Sequence, residues 1–321
     1  MKKIFSISSI TILLLLLLPS LWEGSGMGCF AQQDPMFTHY MYNTLSVNPA
    51  YAGTRHAMTV TALHRSQWVN FPGAPVTQTL TMHSPVLNEK IGAGLSVLND
   101  KIGPTRITAL YADFAYHLTL DSKSKLSLGL KAGANLFTAN LAQLLTTQQG
   151  DAALSSDVQS KLLPNFGFGA YYYRERFYAG LSIPKLLQNN FSANTISGSA
   201  NLFWEQRHYF LIAGTMLDLN QDWKINPTAF MKITRGTPVE ADLSTEFIYN
   251  QKISFGAMVR TGDAAGILVG YNLLEQLHAR YSFDWSFLNT TKKYNGGSHE
   301  IILRYDFIYK HEEKIKSPRY F

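Results

Sequence analysis

From about Ala57 onward, hydrophobic and polar residues alternate with a period of two. In "SHEIILRYDFIYK", Ser298 to Lys310, one set is His299, Ile301, Leu303, Tyr305, Phe307 and Tyr309, and the other is Ser298, Glu300, Ile302, Arg304, Asp306, Ile308 and Lys310. Successive side chains of a strand point to opposite faces, so this pattern predicts a strand with one apolar and one charged face. The pattern repeats in "LHARYSFDWSF", where Leu277, Ala279, Tyr281, Phe283, Trp285 and Phe287 oppose His278, Arg280, Ser282, Asp284 and Ser286. It repeats again in Leu126, Leu128 and Leu130 against Ser127, Gly129 and Lys131, and in Phe166, Phe168 and Tyr172 against Asn165, Gly167 and Gly169.

Strands are predicted at roughly 57–66, 76–84, 90–98, 105–119, 124–138, 164–173, 176–183, 206–217, 222–233, 238–250, 252–261, 264–273, 277–287 and 297–309, about fourteen in all. Segment 196–204 alternates weakly and is assigned to a loop, because an odd total would misplace the C-terminus. Charges in mid-strand suit the outside of a soluble sandwich as well as the lumen of a membrane barrel. Three features favour the barrel. Aromatics such as Trp223, Tyr249, Tyr271, Trp285, Tyr305 and Tyr309 fall towards strand ends, as in interfacial girdles. Many strands reach the length that a tilted strand needs to cross a bilayer. Short links such as "YRER" and "LLEQ" lie opposite the long connections 139–163 and 184–205, the asymmetry of periplasmic turns and extracellular loops. An even strand count also returns both termini to the periplasmic side. The expected fold is an all-β, transmembrane antiparallel barrel over 57–309, with a tail at 310–321.

The N-terminal "MKKIFSISSITILLLLLL" has two lysines, then an apolar run too short for a comfortable span, and reads as a signal peptide with cleavage expected after Ala31. A lipoprotein reading would use Cys29, but the preceding residues lack the usual leucine. Cys29 is the only cysteine, so cleavage after Ala31 leaves no thiol for a disulfide or zinc site. The mature chain then carries 26 basic and 21 acidic residues, once Lys2, Lys3 and Glu23 are subtracted from totals of 28 and 22, for a formal charge of +5. The basic residues are dispersed, which argues against nucleic acid as a partner. No HExxH, GxSxG or GxxxxGK motif occurs, so no catalytic, metal or cofactor residues are assigned. The runs "GAGLSV" and "GFGAYY" read as strand glycines that permit close packing.

Candidate interaction residues lie in two places. "NPAYAG", with Asn48 and Tyr51, is a turn into the first strand, and Gln32 to Gly53 is expected either to fold back and occlude the lumen or to contact a periplasmic partner. "WVNFPGAP" offers Trp68 and Phe71 to a secreted client, or packs them over the barrel mouth or against lipid headgroups. On the predicted lumenal face, Lys224, Lys232, Glu240, Asp242, Arg280, Asp284, Glu300, Arg304 and Asp306 mix both signs. Such mixing implies a cross-lumen network of paired charges that holds the barrel's shape, rather than an ion-selective ring.

Several motifs also carry a resemblance. "QQDPMFTHYMYNTLSVNPAYAG" (Gln32–Gly53), "RSQWVNFPGAPVTQTLTMHSPV" (Arg65–Val86), "RTGDA" (Arg260–Ala264), "YNGGSHEIILRYDF" (Tyr294–Phe307) and the terminal "SPRYF" are similar, in the same order, to the PorP/SprF family of outer-membrane proteins. The resemblance implies a component of the type IX secretion system of Bacteroidota, which exports large adhesins and enzymes and is linked to gliding motility. It also implies partners: outer-membrane lipid, a large secreted client and periplasmic parts of the machine. The competing reading is a channel or transporter for a small solute; an outer-membrane enzyme comes third.

Overall fold

The computed structural model describes residues 34–87, 89–141, 157–195, 198–287 and 296–308. The expected signal peptide, Cys29, Tyr309, the C-terminal tail and most of loop 139–163 lie outside these residues. Among the described residues seventeen strands follow one another: β1 Met58–Ser66, β2 Val76–Val86, β3 Ile91–Ile102, β4 Thr105–Thr119, β5 Ser124–Ala139, β6 Val158–Arg174, β7 Phe177–Ile183, β8 Asn190–Thr195, β9 Gly198–Trp204, β10 His208–Thr215, β11 Leu217–Asp218, β12 Trp223–Thr234, β13 Glu240–Tyr249, β14 Ile253–Arg260, β15 Ala264–Asn272, β16 Leu277–Ser286 and β17 Ser298–Phe307. Fourteen of them form the barrel, each antiparallel to its neighbours. β10 pairs with β12, and β1 pairs with β17 from Met58–Phe307 to Ser66–His299, which closes the ring.

The three remaining strands explain the difference from fourteen. β11 is a two-residue extension on β12. β8 and β9 pair only with each other, so residues 198–204 form a strand, where a loop was expected, but one outside the barrel wall. β3 continues to Ile102 and β6 starts at Val158, beyond the expected limits, because each still finds a long neighbour to pair with.

Burial confirms which face is which. On β17, Ile301 and Leu303 are 49% and 50% exposed, whereas Glu300, Ile302, Arg304 and Asp306 are all at or below 5%. On β4, Leu110, Phe114, Tyr116 and Leu118 are exposed, and Tyr111, Asp113, Ala115 and His117 are buried. A continuous apolar outer surface of this kind needs lipid to cover it, and closure gives every barrel strand a neighbour on both sides. Among the described residues no helix is long and apolar enough to cross a membrane.

The strand directions define two mouths. β1 begins and β17 ends at the near mouth, with the tight connections 87–90, 120–123, 175–176, 250–252 and 273–276. The far mouth carries 67–75 and 184–195, together with the end of β5 and start of β6 and the end of β16 and start of β17. Both long connections singled out from the sequence therefore share one side. Tyr249 and Tyr271 are exposed near the first mouth and Trp285 near the second, placing aromatic rings at both rims.

Fourteen strands lie between the eight that side chains fill and the sixteen that leave a channel. The interior here is filled by the chain itself. Residues 34–56 lie inside the wall, with a short helix α1 (Thr44–Val47) and a 3-10 turn at Pro49–Tyr51. The Asn48 side chain caps that turn by accepting from Ala50 N at 3.0 Å, and Pro49 sits at its first position, where no N–H is needed.

Candidate functional site: the lumen and its N-terminal segment

The inner segment is apolar where it meets apolar wall. Phe37, Tyr40, Met41, Tyr42, Leu45, Val47 and Tyr51 form one core with Leu63, Tyr171, Tyr173, Tyr178, Phe210, Ile212, Phe230 and Ile302. Tyr40 stacks on Phe230 with ring centroids 4.4 Å apart, and Tyr51 meets Tyr171 edge-on at 5.5 Å.

Polar contacts tie the segment to the wall on every side. Thr38 N and His39 N donate to the Glu300 carboxylate at 2.9 and 2.8 Å, and the Thr38 hydroxyl donates to Asp284. Arg65 closes this group, 2.7 Å from Asp284 and 3.3 Å from Glu300. Tyr42 donates to Glu246 at 2.7 Å while its ring lies under the guanidinium groups of Arg280 and Arg304. Asn43 donates to Thr79 on β2 at 3.0 Å, and Ser182 on β7 donates to Val47 O at 2.7 Å. Near the exit, Arg55 makes a fork to Asp306, with Nε and Nη2 donating at 3.2 and 2.8 Å. Thr59 and His278 bond to the same carboxylate.

The backbone of "NPAYAG" is seated on lumenal glycines. A Cβ on Gly129 would overlap Ala50 N, one on Gly92 the Ala52 carbonyl, and one on Gly169 the Asn48 side chain. The Asn48 amide donates to Ala170 O and Leu181 O at 3.1 and 3.3 Å, between β6 and β7. These are the glycines of "GAGLSV" and "GFGAYY", together with Gly129 between them. The close packing they permit is against residues 48–53.

At the far mouth, Asp34 lies 2.6 Å from Lys185 Nζ and 3.5 Å from His208. Burial alone would raise the Asp34 carboxyl, but the Lys185 ammonium and His208 outweigh it and hold the group at about 2. Lys185 also faces Glu205 at 3.4 Å.

The sequence-predicted residues fall into three groups. Lys232, Glu240, Asp242, Arg280, Asp284, Glu300, Arg304 and Asp306 do lie on the lumenal side. They do not form a network across an open lumen, because the segment occupies that space. Their ion pairs join neighbouring strands, as in Lys232–Glu240 and Arg260–Asp242 at 2.7 Å each, reach one strand further, as in Arg65–Asp284, or tie the wall to the segment. Lys224 shares the face of Asn226, Thr228 and Lys232 on β12 but sits at the near rim, 3.5 Å from Asp218. Asn48 and Tyr51, expected to meet a client or partner, are 1% and 4% exposed and face the wall. Trp68 donates from its indole to Ser286 at 3.3 Å and is half-buried over the rim, whereas Phe71 is exposed at the tip of its loop. The residues that sequence reasoning missed, His39, Arg55, Arg65, Lys185 and Glu205, carry no spacing signal. Their partners are 16 to 261 residues away in sequence. Among the described residues no group of three or more His, Cys, Asp or Glu is placed to hold a metal.

Solved barrels resemble this one at low identity. Omp33 of Acinetobacter baumannii is 10% identical with a TM-score of 0.45, over 80% of this chain and 100% of that one. A FadL homologue of Pseudomonas aeruginosa is 13% identical with a TM-score of 0.47, over 81% and 93%. The CymD monoaromatic hydrocarbon channel is 11% identical with a TM-score of 0.45, over 84% and 94%. A comparison with curated protein sequences finds no match. The model of the family described as type IX secretion system membrane protein PorP/SprF matches residues 29–305. The chain therefore belongs to the PorP/SprF family of type IX secretion system membrane proteins.

Proposed function

We propose that this protein is a non-catalytic outer-membrane adaptor of the type IX secretion machinery, supporting delivery or surface attachment of large secreted proteins rather than solute diffusion. The observation that carries this reading is the filled lumen: residues 34–56 are bonded to β1, β2, β7, β13, β16 and β17, so the space a diffusing solute would use is occupied. In this reading the signal peptide is removed after Ala31, the near mouth faces the periplasm and the machine's periplasmic components, and the far mouth faces outward. The outer loop 67–75, with exposed Phe71 over the anchored Trp68, is then the surface offered to a client.

Crosslinking mass spectrometry of the tagged protein in its own outer membrane tests this. Crosslinks from 67–75 to one large exported protein, and from the tight turns at 120–123 or 273–276 to periplasmic secretion components, are expected. Crosslinks to neighbouring porins alone would overturn the adaptor role. The small-solute reading would then be tested by conductance after deletion of residues 32–50.

A further inference from the structure

An even number of strands places the start of β1 and the end of β17 at the same mouth, and the sequence expectation was that the N-terminus sits there too. The inner segment reverses this for its own beginning. Asp34 is held by Lys185, two residues past the far end of β7, and lies 3.5 Å from His208, the first residue of β10 at that mouth. Phe37 O accepts from Arg260 at 3.1 Å, the last residue of β14, again at the far end.

The later contacts descend the wall in order. Thr38 reaches Asp284 and Arg65, towards the far ends of β16 and β1. Tyr42 reaches Glu246, and Asn48 reaches Ala170 and Leu181, well inside the strands. Gly53 N donates to His83 at 3.1 Å and Gly53 abuts Gly92, the second residue of β3, while Arg55 meets Asp306, one residue before the near end of β17. An extended chain from residue 34 to 57 would reach roughly 80 Å. The apolar band of such a barrel is about 25 Å tall, so the segment is long enough to pass from one mouth to the other, and the order of its contacts along the wall gives the direction.

We infer that the chain threads its own barrel lengthwise, entering at the far mouth, where Asp34 sits beside Lys185 and His208, and leaving at the near mouth into β1. Asp34 and Pro35 thereby lie at the same mouth as loop 67–75. Both seam strands, β1 and β17, bond to the segment through Arg65, Glu300 and Asp306.

The inference rests on strand polarity and stands apart from the proposed role; only its translation into "outside" uses the orientation proposed above. In a Cys29→Ser background, an epitope tag inserted between Gln33 and Asp34, Pro35→Cys, Asn70→Cys at the far mouth and Ser122→Cys at the near mouth are probed with a membrane-impermeant maleimide or antibody. The readouts are taken on intact and on permeabilised cells. The tag and Pro35→Cys are expected to partition with Asn70→Cys, and oppositely to Ser122→Cys. If the tag and Asn70→Cys are both reached only after permeabilisation, threading holds and the proposed orientation fails. A tag that partitions with Ser122→Cys, or that stays silent in both conditions, overturns the threading itself.

Discussion

The Arg55–Asp306 fork ties the inner segment to the last strand where the segment leaves the lumen, and both side chains are at most 2% exposed. Removing one member of a buried pair costs about 3–5 kcal/mol, because the other charge is stranded. The two halves of this pair are not equivalent. Arg55→Met leaves Asp306 with bonds to Thr59 at 2.7 Å and His278 at 3.2 Å, and with Arg304 3.9 Å away, so the loss belongs near ~3 kcal/mol. Asp306→Ala leaves Arg55 and Arg304 facing each other without that carboxylate, so the loss belongs near ~5 kcal/mol. Urea unfolding of the refolded barrel in vesicles, run as a double-mutant cycle, measures both. The double variant is expected to recover at least ~1.5 kcal/mol relative to the sum of the singles. Strictly additive losses, or Arg55→Met costing more than Asp306→Ala, would refute the argument that Asp306 is the hub of this cluster.

Other consequences follow from the same geometry. Leu303→Arg, on the lipid face of β17, should destabilise folding by ~2–4 kcal/mol at mid-membrane, read by loss of heat-modifiable migration; normal folding would contradict the facing of β17. Gly129→Val should unseat residues 49–50 at a cost of about 1–3 kcal/mol and make the inner segment protease-sensitive, while Leu128→Ala on the outer face should not. The Asp34 tie is fully present above the ordinary carboxylate value of 3.8 and is lost only as pH falls towards about 2, because its carboxyl is depressed in the fold. An NMR titration of that carboxyl with a midpoint near 4 would show that the Lys185 pairing is not maintained.

What the sequence conveys and what it hides divide along physical lines. The barrel was legible because each strand states its two faces locally: the alternation in Ser298–Phe307 is the same information as its pattern of burial. Strand β9 was read less well, since seven residues of weak alternation do not say whether a partner lies in the wall or in a hairpin. The inner segment has no period at all, since it is shaped by the cavity that receives it. Its signals were indirect: "MFTHYMYNTLSV" is too apolar for a solvated leader, and Gly92, Gly129 and Gly169 sit at lumenal positions where a water-filled pore would carry polar side chains. The charges were identified individually but their pairing was misread. Glu300 and Asp306 looked like parts of a cross-lumen network when their chief partners, His39 and Arg55, lie in the segment that fills that lumen.

The central claim is that the barrel is closed by its own N-terminal segment, and single-channel recording of the purified full-length protein in planar bilayers tests it most directly. A protein that inserts yet shows no stable conductance, and acquires porin-sized steps only when residues 32–50 are deleted, is the predicted result. Steady, large openings of the intact chain would contradict it.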